Sequence, residues 1–134
     1  MFALTVSEIS GFLQRFNLFH DAIIRHLQVT FRFRNPITTA RIIISVRDSQ
    51  TMANEGWVNL RFELTDVKEF RFVESRTLVT YTVIYEAHIA SFDDLFFLDF
   101  GGLTDDPASA QDCRKSDFYI ATKKAEWEVE PYQE

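Results

Sequence analysis

Hydrophobic residues recur at helical spacing at the start of the chain and at every second position through most of the rest. Val6, Ile9, Phe12, Leu13 and Phe16 lie on one helical stripe. Thr5 and Glu8 before them have the form of a capping box, in which a hydroxyl and a carboxylate each serve an orphan amide. One helix over residues 6–17 is predicted. Gly11 weakens it by about 1 kcal/mol relative to alanine, so its phenylalanine face needs a sheet to pack on. From Leu27 the period becomes two. Leu27, Val29, Phe31 and Phe33 alternate with Gln28, Thr30, Arg32 and Arg34, which describes a half-buried strand with Phe31 and Phe33 in the core. Asn35-Pro36 ends it.

The run "TARIIISVR" reads as the return strand and "DSQTMANEG" as a polar loop. "WVNLRFEL" and "KEFRFVE" read as two strands separated by a turn at Thr65-Asp66. "TLVTYTVIYEAHIA" is the longest strand candidate. Val79, Tyr81, Val83, Tyr85, Ala87 and Ile89 form one of its faces, and Thr80, Thr82, Glu86 and His88 dominate the other. "DLFFLDF" suits a strand buried on both faces, "GGLTDDPASAQDCRKS" is a long loop, and "DFYIATKKAEWEVE" closes the pattern. About seven to eight strands over residues 22–130, with no helical crossovers, imply antiparallel pairing. The expected fold is α+β and mostly antiparallel β, in one domain spanning 1–134. The N-terminal helix packs on a twisted sheet, sandwich or partial barrel.

Composition adds core material and an uneven charge. The chain has 134 residues, with 14 Phe, 4 Tyr and 2 Trp but only 4 Gly and 3 Pro, which argues against disorder. One cysteine, Cys113, excludes an intramolecular disulfide framework and a Cys-rich zinc site. The start of the sequence lacks the basic and apolar regions of a secretion signal, and no apolar run approaches a membrane span. A cytoplasmic location is the default expectation, with no membrane partner. The net charge of −6 disfavours nucleic acid. Residues 22–47 hold five arginines and no acid, whereas residues 86–134 hold 12 acids against Arg114, Lys115, Lys123 and Lys124. Either the two halves neutralise each other within the fold, or the acidic half attracts a basic partner.

Candidate chemistry centres on three places. His20-Asp21 lies where the helix gives way to strand. Neighbours in a regular strand point to opposite faces, so a structural role at that junction is favoured over a catalytic pair. Glu86 and His88, two apart, share a face with Thr80 and Thr82; a solvated outer face of the sheet is the favoured reading, ahead of a ligand cleft or acid–base work. Asp93, Asp94, Asp105 and Asp106 belong to a turn-rich acidic region that lacks the calcium-loop pattern. It is read as solvated loops or as a docking surface. Cys113, beside Arg114 and Lys115, would have a lowered thiol pKa only if exposed. No phosphate-binding glycine loop, serine-nucleophile motif or zinc-helix motif occurs. No metal and no cofactor are expected.

"FHDAII" followed by an alternating strand, then "WVNLRFELTDVKEFRFVE" and a late "DFYI", resembles a loose group of small bacterial antiparallel-β proteins that open with a His-Asp dipeptide. Some of these are similar to immunity proteins of bacterial toxin systems. The resemblance spans about residues 17–122 and carries no catalytic residue. It implies a non-enzymatic protein that acts by binding, such as an immunity-type inhibitor that turns an acidic surface to a basic protein. Two alternatives stand beside it: a small-molecule-binding β domain using Thr80, Thr82, Glu86 and His88, and a small hydrolase or isomerase using a histidine with a carboxylate. Pairing of edge strands into a homo-oligomer is a further possibility.

Overall fold

A computed structural model describes residues 1–73, 83–101 and 103–133. Eight strands are present among the described residues: β1 (Phe2–Ala3), β2 (Ala22–Thr30), β3 (Thr39–Arg47), β4 (Trp57–Phe72), β5 (Val83–Ile84), β6 (His88–Phe92), β7 (Leu95–Gly101) and β8 (Phe118–Pro131). Every pairing is antiparallel, and the strand order is β5-β2-β3-β4-β8-β7-β6, with β1 beside β8. The sheet curls into a half-barrel. Its two outer strands, β5 and β6, are consecutive in the chain and separated only by Tyr85–Ala87. The expected class, mostly antiparallel β with one N-terminal helix packed on a curled sheet, is the class observed.

The helix α1 spans Ile9–Arg15 between two single 3-10 turns, Val6–Glu8 and Asn17–Phe19. Thr5 does not cap it: its hydroxyl meets only the Ser7 hydroxyl, at 3.4 Å. Aromatic packing holds the helix instead, as its glycine and missing cap require. Phe12 meets Phe62 at 5.9 Å and Trp127 at 5.1 Å, edge to face. Phe16 and Phe19 are fully buried against Trp127, Phe62 and Phe100. Edge-to-face pairs add to the area each ring removes from water.

Several local expectations change. "WVNLRFEL" and "KEFRFVE" form one strand, β4, because Asp66 takes a positive φ of 61° and a bulge follows between Val67 and Glu69 without breaking the pairing to β8. The Thr122 hydroxyl donates to the Thr65 carbonyl at this point, at 2.8 Å. In β2 a bulge between Ile24 and His26 reverses the phase. Ala22 and Ile24 therefore face the core with Leu27 and Val29. Phe31 and Phe33 are not core residues: β2 ends at Thr30, and the two rings are 69% and 101% exposed. The described part of the segment read as one long strand, from Val83 onward, holds two short strands, β5 and the start of β6. Ile84 is buried while Val83 and Tyr85 are exposed, which reverses the expected inward face there. Val79, Thr80, Tyr81 and Thr82 lie outside the described residues. The long acidic loop contains a one-turn helix, α2 (Ala110–Cys113), capped by the Ser109 hydroxyl.

Much of the charge asymmetry is neutralised across the sheet. Arg61 on β4 reaches Glu128 at 2.6 Å and Glu130 at 2.5 Å on β8, and Arg41 on β3 reaches Glu63 at 2.6 Å. These are cross-strand neighbours by register, which is where opposite charges support a sheet. The glutamates of the last strand are thus partly engaged within the fold. The acids left unpaired among the described residues lie in loops.

Candidate functional site

The "NLFHD" junction is strained backbone. Asn17, Leu18, Phe19 and Asp21 all have positive φ, between 54° and 62°. Side chains other than glycine, asparagine or aspartate seldom occupy this region, and Leu18 and Phe19 do so at a cost of about 1 kcal/mol or more each. The turn is held by backbone bonds. The Asp21 amide donates to the Ile84 carbonyl at 3.0 Å, and the Ala87 amide donates to the Leu18 carbonyl at 3.0 Å. The His20 ring lies 5.6 Å from Tyr85, edge to face. The dipeptide does sit between the helical segment and the first long strand. Among the described residues, the bonds that fasten this junction are main-chain ones, with the ring contact of His20 on Tyr85 beside them.

The same turn braces one wall of a cleft. Holding Leu18 against Ala87 places the start of β6 beside α1. Between them is an open cleft of about 500 Å³, lined by Val6, Ile9, Leu13, Leu18 and Ile89 with the polar groups of Ser10, Gln14, Glu86, His88 and Asp106. His88 forms its floor and is buried. Its Nδ1 donates to Asp99 Oδ2 at 2.9 Å, across the β6–β7 pair. Asp99 also accepts from the Ser116 hydroxyl and from the Gly101 amide. Ser116 is in turn held by the Phe118 amide, at 3.0 Å. Three donors satisfy the buried carboxylate and fix the imidazole with Nε2 toward the cleft. Asp106 Oδ1 stands 3.7 Å from Nε2 and Glu86 Oε2 stands 4.0 Å away. Neither closes a hydrogen bond with it, so a gap lined by Nε2 and two carboxylates remains.

No protein-family model, curated protein or solved structure matches the chain. The functional reading therefore rests on the geometry of the site.

Of the residues singled out from the sequence, the structure brings together Glu86, His88 and Asp106. His20 and Asp21 do not line the cleft. Thr80 and Thr82 lie outside the described residues. Asp93 and Asp94 are the two central residues of the β6–β7 hairpin, with φ of 54° and 61°. Aspartate tolerates this double positive φ, which a two-residue hairpin turn needs. Asp105 is exposed on the loop beside Asp106. No cluster of histidine, cysteine and acidic side chains able to hold a metal occurs among the described residues.

Of the groups that position His88, Asp99 was read from the sequence only as one acid of the turn-rich acidic region, and Ser116 was given no role. The signal for Asp99 was nonetheless there. Once Asp93-Asp94 is read as a two-residue turn, counting outward pairs Phe92 with Leu95 and then His88 with Asp99. No comparable signal marks Ser116, which arrives from beyond the loop.

Cys113 is buried in a satellite core with Leu95, Phe97, Ala110, Tyr119 and Ala121. Burial, with Asp99 and Asp112 adding to it, pushes its thiol up to about 11 despite Arg114. The native protein is therefore expected to resist alkylation by iodoacetamide at neutral pH and to react fully once denatured. Rapid labelling of the native state, followed by mass spectrometry, would contradict this burial.

Proposed function

We propose that this chain is a non-enzymatic binding domain whose cleft between α1 and β6 takes a primary ammonium group carried on an alkyl body. The observation that carries the reading is the convergence of Nε2 of His88, Glu86 and Asp106 around one gap. With Nδ1 donating to Asp99, an unprotonated Nε2 offers its lone pair to the gap. Two carboxylates complete a set of three acceptors. An ammonium offers three donors and a positive charge, and so matches the set. The apolar wall of Val6, Ile9, Leu13 and Leu18 suits the methylene chain behind it. The group can come from a free alkylamine or from a lysine of a basic partner protein. The second source agrees with the immunity-type inhibitor that the sequence resembles, and the nearly fully exposed Asp106 side chain favours it, because it projects toward a partner surface.

The test uses pentylamine, with pentanol as the uncharged control, and follows the His88 ring resonances by NMR. Pentylamine should shift them saturably and pentanol should not. Glu86→Gln and Asp106→Asn should each weaken the interaction about tenfold, as for loss of one charge-assisted hydrogen bond. Neither replaces a buried group, so the melting temperature should hold. Equal shifts with both probes, or full binding by the double variant, would remove the ammonium reading. A lysine-bearing partner is distinguished by competition: pentylamine then displaces it.

A further inference from the structure

We infer that the end of the half-barrel bearing Phe31, Arg32, Phe33, Arg34 and Phe70 docks onto an anionic lipid bilayer. The expectation of no membrane partner rested on the absence of a spanning segment. The rings are exposed, and a surface contact needs no span. No helix among the described residues is long and apolar enough to cross a membrane, and the contact inferred is peripheral.

A row of rings leads from the interior to this end. Phe118 meets Phe72 at 4.7 Å, Phe72 stacks on Phe70 at 5.3 Å, and Phe70 meets Phe31 at 6.1 Å. Exposure rises along the row, from the half-buried Phe72 to Phe70 at 41% and Phe31 at 69%. Phe33, one step further along the β2–β3 connection, is 101% exposed, and Val73 at the end of β4 is 47% exposed. Aromatic rings left in water by a chain with so much buried phenylalanine form a patch that needs a partner.

Charge selects the partner. Arg32 and Arg34 are exposed and alternate with the two rings, and residues 22–47 contain no acid. Of the described acids on this side, Glu63, which lines a groove with Arg32, is paired with Arg41 at 2.6 Å, Asp66 with Lys68 at 2.8 Å and Asp117 with Arg71 at 3.6 Å. A lipid interface accepts rings at the depth of the glycerol backbone while guanidinium groups stay with the phosphates. Alternating Phe and Arg on a projecting loop, beyond the strand that would have split them onto two faces, meets both layers at once. An apolar contact plus a basic one supplies the two signals that reversible anchoring requires. The whole chain carries a net charge of −6, so the rest of the molecule, without these arginines, is turned away from the bilayer. A nucleic acid would use the same rings and arginines, and the oligothymidylate arm of the test separates it from a bilayer.

Co-sedimentation with sucrose-loaded vesicles tests this contact. The protein should pellet with phosphatidylcholine vesicles that contain phosphatidylserine, remain in solution with phosphatidylcholine alone, and be released by high salt. Arg32→Gln and Arg34→Gln should each lower the partition coefficient about fivefold. Phe31→Ser combined with Phe33→Ser should abolish binding while leaving the melting temperature unchanged, because neither ring is in the core. A protein that stays in solution with both vesicles overturns the inference, as does one whose binding ignores these four positions. Binding of single-stranded oligothymidylate in place of vesicles, with the same dependence, would reassign the surface to nucleic acid. A dimer in sedimentation velocity that the Phe33→Ser change dissolves would reassign it to self-association.

Discussion

Phe62→Ala will destabilise the protein by about 3–5 kcal/mol, a fall in Tm of roughly 10–20 °C for a chain of this size. Phe62 lies near the middle of β4, fully buried, with β3 on one side and β8 on the other. Its ring meets Phe12 of α1 at 5.9 Å, Phe19 of the following turn at 6.3 Å and Phe100 of β7 at 6.3 Å. One truncation therefore opens a cavity where helix, turn and sheet meet. The walls are large rings already engaged with one another, so little collapse is available to refill it, which puts the cost in the upper range for core truncations. Phe33→Ala is the control of the same chemistry, and its melting curve should overlay the wild type. Calorimetry of both variants checks the pair. A small effect at Phe62 would mean that α1 is not seated on the sheet as described.

Asp48→Ala should cost about 3 kcal/mol, the lower end for breaking a buried ion pair, because Arg15 keeps a 24% exposed side chain. Asp48 lies just past β3 and is 3% exposed. It accepts from Arg15 Nε at 2.9 Å and Nη2 at 3.1 Å, from the Gln50 amide at 3.0 Å and from the Thr51 hydroxyl at 2.7 Å. Burial by itself would push its carboxyl up. The arginine, amide and hydroxyl outweigh burial and hold it below the ordinary carboxylate range. A depressed carboxyl contributes stability that is complete above the unfolded value of about 3.9 and is lost as pH falls through the lower folded value. Glu69 behaves in the same direction, chiefly through its hydrogen bonds from Arg114. Denaturant unfolding below pH 5 should therefore show a stability that declines with acid in the wild type and declines less in Asp48→Ala. Parallel curves would show that Asp48 is not depressed. The arginine also lies over Phe16 at 5.0 Å and Trp127 at 5.3 Å, so losing its anchor loosens the C-terminal end of α1.

The His88 site was half legible. Glu86 and His88 stood out by spacing, for a reason that proved wrong in detail. They were expected on one face of a continuous strand, but the strand breaks at Tyr85–Ala87 and Glu86 lies outside it. What joins them at the cleft is the return of the chain beneath α1. Asp106, chosen as part of an acidic docking surface, reaches the same gap from a loop that no periodicity describes. Phe31 and Phe33 failed for a related reason. Alternation assigns faces while a strand lasts, and β2 stops one residue before Phe31.

The sequence by itself determined the class of this protein. Period-two runs without helical crossovers can bury their apolar faces only as antiparallel neighbours, and one short helical stripe must then pack on that sheet. Both statements follow from local geometry, and local geometry is what a pattern encodes. The tertiary structure alone decided where the chemistry lies. The curl that lets the outer strands β5 and β6 be joined by only Tyr85–Ala87, the left-handed turn that holds Leu18 against Ala87, and the arrival of Ser116 behind Asp99 depend on residues distant in the chain. Such contacts depend on how the whole sheet closes over its rings, which no single segment records.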